Sequence, residues 1–181
     1  TATATVTENI TAPTASATGG VLTCVNTMVS ISASSTTPGV TFAWSGPNNF
    51  SSNQQNPNVN TSGTYTVVIT NPANGCTASA TATVTSNNTP PTAAVSAEPL
   101  TCADTSAQIT TTTNANPATF AWSGPNGFSS TIQNPEVTAP GNYTVTITNS
   151  DNGCTVTAVA TVNQNTTAPT ASATVPGNLN C

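Results

Sequence analysis

The sequence of 181 residues holds no lysine, no arginine and no histidine. A chain without cations cannot neutralise a phosphate backbone, so a nucleic-acid partner is excluded. Trypsin has no bond to cut. General acid–base and nucleophilic catalysis lose their commonest bases, and the five acids, Glu8, Glu98, Asp104, Glu136 and Asp151, are too scattered to read as a catalytic carboxylate pair. No apolar run approaches the roughly 20 residues that cross a bilayer as a helix, and no stretch of about 12 residues shows helical periodicity. The chain also opens without Met, a basic leader or a cleavage site, the pattern expected of a mature interior fragment.

Cysteines are few but regularly placed. Cys24 and Cys102 are 78 residues apart, as are Cys76 and Cys154, and Cys181 follows Cys102 by 79. Trp44 and Trp122 keep that offset, as do Tyr65 and Tyr143, and Phe42-Ala43-Trp44-Ser45-Gly46-Pro47-Asn48 returns unchanged as Phe120-Ala121-Trp122-Ser123-Gly124-Pro125-Asn126. Self-similarity at a fixed period marks a copied structural module. The expected organisation is residues 1–12 as the last strand of a preceding repeat, 13–90 and 91–168 as two full repeats, and 169–181 as the first strand of a following one.

Within a unit, Tyr65, Val67 and Ile69 alternate with Thr64, Thr66, Val68 and Thr70, a period of two that puts one face in a core. Val40, Phe42 and Trp44 alternate likewise, as do Val29, Ile31 and Ala33, and Ala78, Ala80, Ala82 and Val84. Between them lie turn clusters such as Thr37-Pro38-Gly39, Asn56-Pro57-Asn58 and Asn71-Pro72-Ala73-Asn74-Gly75. The Asn74-Gly75 pair supplies residues that tolerate positive φ in a tight hairpin. The fold class is therefore all-β: tandem immunoglobulin-like β-sandwiches arranged head to tail. Strands are expected near 14–17, 28–34, 39–45, 64–71 and 76–85, with weaker ones across 51–60. Phe42, Trp44, Tyr65, Phe120, Trp122 and Tyr143 form the expected core, and the tyrosines, each just after a Gly-x pair, resemble tyrosine corners.

Two cysteines at matched positions in every small unit fit an oxidising, extracellular or cell-surface setting, with disulfides reinforcing a thin core. The candidates are Cys24, Cys76, Cys102, Cys154 and Cys181. In a sandwich of this type Cys24, between the first two strands, and Cys76, at the start of the last, lie at opposite ends. The second strand alone, about seven residues at roughly 3.3 Å each, exceeds the roughly 7 Å that bridged Cα atoms allow. That favours a cross-repeat bond from Cys24 to Cys154, which would stiffen the joint and leave Cys76, Cys102 and Cys181 to partners elsewhere. Pairing within each repeat, Cys24 with Cys76 and Cys102 with Cys154, is the alternative and needs a folded-back loop.

Without His or a Cys-x-x-Cys pair, no metal and no cofactor is expected. Asp151-Asn152-Gly153 looks like a fragment of a calcium loop, but its copy Ala73-Asn74-Gly75 has no carboxylate, which makes both turns. Phe50 and Phe128 follow turns and are expected either to cap the core or to form a contact or ligand patch repeated once per unit, where an array would turn weak binding into avidity. Six Asn-x-Ser/Thr sequons, at Asn9, Asn49, Asn60, Asn87, Asn142 and Asn165, follow largely from the abundance of Asn and Thr.

The second unit reads Pro91-Thr92-Ala93, Leu100-Thr101-Cys102, Phe120-Ala121-Trp122-Ser123-Gly124-Pro125-Asn126-Gly127-Phe128-Ser129-Ser130, Gln133-Asn134-Pro135, Gly141-Asn142-Tyr143-Thr144-Val145-Thr146-Ile147-Thr148-Asn149 and Asn152-Gly153-Cys154-Thr155. This pattern, covering essentially the whole chain, resembles the immunoglobulin-like and PKD-like tandem repeats of very large Bacteroidota surface proteins, gliding-type adhesins included. The resemblance implies type IX export, display as a fibre or adhesin, and no enzymatic activity. The expected function is a structural repeat segment of an extracellular filament or cell-surface adhesin, its partners further copies of the same repeat or chain. The alternative is a repeated carbohydrate- or surface-binding module, with extracellular polysaccharide as partner, using Phe50 and Phe128.

Overall fold

The computed structural model describes residues 2–167, 170–173 and 177. It divides into two units, one made of the chain up to Thr89 together with Asn152–Cys154, the other of Pro90–Asp151 and the chain from Thr155 onward. The hairpin turn Asn152–Cys154 thus belongs by sequence to the second repeat and by packing to the first unit.

The first unit contains β1 (Ser16–Thr18), β2 (Val21–Thr23), β3 (Val29–Ser30), β4 (Ser32–Ser34), β5 (Thr41–Gly46), β6 (Phe50–Ser52), β7 (Asn58–Val59), β8 (Gly63–Thr70) and β9 (Thr77–Asn87). A five-stranded sheet runs β2-β9-β8-β5-β6, and the pairs β1-β4 and β3-β7 form the opposing layer. The second unit contains β10 (Ala94–Ala97), β11 (Leu100–Thr101), β12 (Ala107–Thr112), β13 (Ala118–Ser123), β14 (Ser129–Ser130), β15 (Glu136–Val137), β16 (Gly141–Asn149), β17 (Thr155–Val162) and β18 (Gln164–Asn165). It repeats the plan, with β14-β13-β16-β17 on one side, β10-β12-β15 on the other, and β11 parallel to β18. Among the described residues the only helical turns are single 3-10 turns at Pro47–Asn49 and Pro125–Gly127. Both units are immunoglobulin-like β-sandwiches.

The period-two pattern of β8 explains the core. Tyr65, Val67 and Ile69 are buried against Ile31, Ala33 and Val59 from the opposite layer, with Trp44 from β5 and Ala82 and Val84 from β9. The second unit buries Tyr143, Val145 and Ile147 with Ile109, Val137, Trp122, Ala160 and Val162. Trp44 pairs with Val67 across the ladder as Trp122 pairs with Val145. Phe42 and Phe120, expected inside, are only partly buried and pack on the edge of each cluster. They lie two residues before the tryptophans, toward the end of the strand where the opposing layer gives less cover.

The tyrosines are locked from three directions. Tyr65 and Tyr143 are each 1% exposed. Their hydroxyls donate to the carbonyls of Thr61 and Ala139 at 2.8 Å, four residues upstream, which is the tyrosine-corner bond. A Cβ on Gly46 or Gly124 would stand 2.3 or 2.4 Å from the ring, so only glycine lets the ring lie against the strand. Gly63 and Gly141 take φ of 144° and 138°, and a Cβ there would strike Pro47 or Pro125.

Residues 2–15 form no strand, in contrast to the expected final strand of a preceding repeat. Alternation alone does not make a strand; a ladder partner is needed to satisfy its backbone, and this segment has none. The expected strand across 169–181 falls largely outside the described residues, as does Cys181.

Among positions buried in both copies one differs: Thr111 stands where Ala33 stands in the first repeat, and its hydroxyl is buried without a partner. Thr111→Val removes that unmade bond at nearly constant volume and is expected to stabilise the second unit by about 1 kcal/mol, read from urea unfolding. Burial pushes the Tyr65 phenol above its ordinary value, the hydrogen bond to Thr61 opposing in part. The folded chain therefore holds this proton more tightly than the unfolded one, and the associated stability is complete below about pH 10 and lost as pH rises beyond it. With no cation to pair with, the carboxylates have no ion pair to lose in acid. Melting curves at about pH 3, 5 and 8 are expected to coincide, and melting to fall above about pH 10.

Candidate functional site

Each repeat carries an Asn-Gly-Cys hairpin between its two longest antiparallel strands, β8 and β9 or β16 and β17. The glycines, Gly75 and Gly153, take the positive φ of 71° and 69°; the asparagines do not. Asn152 is instead a clamp. Its side-chain amide donates to Asn87 Oδ1 at 3.0 Å and to the Thr89 carbonyl at 3.1 Å, while its Oδ1 accepts the Cys154 N–H at 2.9 Å. Asn74 repeats the arrangement one period earlier, donating to Asn9 Oδ1 at 3.2 Å and the Thr11 carbonyl at 3.0 Å and accepting the Cys76 N–H at 3.0 Å. Asn152 is 2% exposed. Its three side-chain hydrogen bonds satisfy the amide almost completely, which is what a buried Asn requires.

Beside the clamp, Cys24 is bonded to Cys154 with Cα atoms 5.1 Å apart, 130 residues distant in sequence. The backbone N–H of Cys24 also donates to the Asn152 carbonyl at 3.2 Å. The alternative pairing, Cys24 with Cys76 and Cys102 with Cys154, is overturned. β2 runs parallel to the far end of β9, Thr23 opposite Asn87, so Cys24 follows the end of that strand while Cys76 precedes its start. Eleven strand residues, roughly 36 Å, separate the two ends. Among the described residues Cys76 and Cys102 are free.

Phe50 and Phe128, both partly buried, pack perpendicular to Tyr65 and Tyr143, with centroids 5.2 and 5.1 Å apart. Each pair borders an open cleft, about 310 Å³ in the first unit and 260 Å³ in the second. Pro47, Asn48, Val59 and Thr61 line the first, and their equivalents Pro125, Asn126, Val137 and Ala139 line the second. Glu136, where the first repeat has Asn58, gives the second cleft its only charge. Perpendicular packing on the tyrosine uses each phenylalanine ring as a lid on the core. Among the described residues no three His, Cys, Asp or Glu side chains gather as metal ligands. Asp151 lies in the exposed part of the hairpin, its N–H bonded to Asn149 Oδ1 at 3.0 Å, as a turn.

In sequence, Asn74-Gly75 signals a turn and hides the asparagine clamp. A usable signal was present. Asn9 and Asn87 recur at the same period as Asn74 and Asn152, although none of them belongs to an alternating strand core.

No family model matches the chain, and no curated protein matches it by sequence. Solved structures are similar in fold. The three N-terminal domains of the highly immunogenic outer capsid protein (Hoc) of bacteriophage RB49 match with a TM-score of 0.51 at 11% identity, over 84% of this chain and 58% of that one. The chain therefore spans little more than half of that structure. Titin domains I67–I69 match with a TM-score of 0.44 at 13% identity, over 86% of this chain and 64% of that one. At such identity the likeness to the Hoc domains concerns the fold alone.

Asn152→Ala leaves the Thr89 carbonyl and the Cys154 N–H without partners and is expected to cost about 2–3 kcal/mol, whereas Asn74→Ala, at a less buried clamp, costs about 1. Chemical unfolding of the two variants checks the order.

Proposed function

We propose that the chain is a structural repeat segment of an extracellular filament or cell-surface adhesin and performs no catalysis. The observation that carries this reading is the duplicated joint: the same asparagine clamp stands at both hairpins, and one of them is closed by a disulfide between residues 130 positions apart. A bond closing so long a loop stabilises by several kcal/mol, typically ~2–4, and persists in an oxidising compartment. A sparsely charged, hydroxyl-rich surface without trypsin sites suits a material that has to endure outside a cell. Its partners in this reading are further copies of the repeat. Export by a type IX route and a Bacteroidota source rest on the sequence resemblance.

The recurring cleft beside Phe50 and Phe128 supports a second reading, a repeated carbohydrate- or surface-binding module. Both phenylalanines spend one side on a tyrosine, which favours the structural role over an open stacking platform.

Electron micrographs of the purified protein at high concentration are expected to show rods or laterally bundled fibres, and a glycan array no bound sugar. Dispersed particles together with glycan binding lost in Phe50→Ala and Phe128→Ala variants would reverse the assignment.

A further inference from the structure

The two free thiols are the complementary halves of the bond that the structure shows closed. Cys102 is the repeat equivalent of Cys24, and Cys76 of Cys154. Their backbone frames already match those of the bonded pair. At the loop, the Thr23 N–H donates to the Asn26 carbonyl and the Thr101 N–H to the Asp104 carbonyl, both at 2.9 Å. The return bonds, from Asn26 N–H to Thr23 Oγ1 and from Asp104 N–H to Thr101 Oγ1, measure 3.0 and 2.9 Å. At the hairpin, Cys76 N–H is held by Asn74 as Cys154 N–H is held by Asn152.

The neighbouring side chains are complementary too. In the closed joint Val25 covers Gly153, where an added Cβ would meet it at 2.5 Å; Gly75 has nothing within 4 Å, and the residue that would cover it is the smaller Ala103. Charge follows the same rule. The closed joint combines an Asn26 loop with an Asp151 hairpin, and the open halves combine an Asp104 loop with an Ala73 hairpin, so each carries one carboxylate and neither carries two.

We propose that Cys102 of one chain forms a disulfide with Cys76 of a second copy, extending the array covalently from chain to chain. The proposal rests on the structural reading above and names its covalent link. A low-molecular-weight disulfide such as oxidised glutathione serves as oxidant. The Cys102 thiolate attacks one of its sulfurs and expels a glutathione thiolate. The Cys76 thiolate of the second chain then attacks the Cys102 sulfur of the mixed disulfide and expels the other, so two protein thiols are oxidised as one glutathione disulfide is reduced to two thiols.

The test uses the full chain with Cys181→Ser, so that the two thiols in question are the only reactive ones. In a glutathione redox buffer at high protein concentration, a ladder of oligomers is expected on a non-reducing gel, collapsing to monomer with dithiothreitol. Pepsin digestion is expected to yield a peptide joining Cys102 to Cys76. Adding Cys76→Ser or Cys102→Ser singly is expected to abolish the ladder, and mixing these two variants to restore a dimer and nothing larger. Persistent monomer, or dominant Cys76–Cys76 or Cys102–Cys102 links, overturns the pairing. Fibres in micrographs of a chain that stays monomeric on the gel would remove the covalent link and leave the structural role standing; a ladder from a chain that forms no fibre and binds glycans would do the reverse.

Discussion

A chain without a single cation cannot hold its parts together with ion pairs, and this constraint shapes the whole structure. Apart from the Ser106 and Thr101 hydroxyls, which donate to the Glu136 and Asp104 carboxylates, the polar side-chain contacts that fix geometry are made by neutral groups. Asparagine amides clamp the hairpins, glutamine amides reach from Gln55 to the Ala33 carbonyl and from Gln133 to the Thr111 carbonyl, and tyrosine hydroxyls tie down the corners. Neutral hydrogen bonds contribute about 1 kcal/mol each, but they are little affected by salt and mild acid. Uniformity across conditions is what such a design gains, and reach is what it gives up. A neutral hydrogen bond acts only at contact, so each one has to be placed by a rigid local frame.

Glycine and proline supply that frame. Gly46 admits the Tyr65 ring, Gly63 turns against Pro47, and the tyrosine hydroxyl closes the loop on Thr61, so a few residues around one ring fix where β5 and β8 meet. The second repeat reproduces these distances to within about a tenth of an ångström at Gly124, Gly141 and Tyr143. Copying is informative because it separates what the unit requires from what it tolerates. Ala33 becomes Thr111 and Thr61 becomes Ala139 without change of fold, whereas the glycines, the tyrosine and the clamp asparagine stay.

The strands and the sandwich were legible in the sequence because both depend on local patterning: alternation in Tyr65, Val67 and Ile69, and turn residues between runs. The period of 78 exposed the modules, and strand geometry favoured a bond from Cys24 to Cys154 over one to Cys76. Two features were not legible. Residues 2–12 alternate as well as any strand in the chain, but a strand exists only where another backbone accepts its hydrogen bonds, and no pattern within the segment reveals that. The role of Asn152 was hidden for a related reason. Its partners, Asn87 and Thr89, are more than 60 residues away, and Asn-Gly carries a strong local meaning that masks a long-range one.

Disulfide and clamp act on different states of the chain. The Cys24–Cys154 bond restricts the unfolded ensemble, closing a loop of 130 residues, and contributes little direction to the folded one. The clamp does the opposite. It has no effect on the unfolded chain, whose amides are satisfied by water, but in the folded state it fixes both the Cys154 backbone and the segment ending at Thr89. The sulfur is thereby delivered to one partner. This division of labour explains why Asn74 is held in place beside a thiol that has no partner among the described residues: the clamp does not need the bond, but the bond needs the clamp.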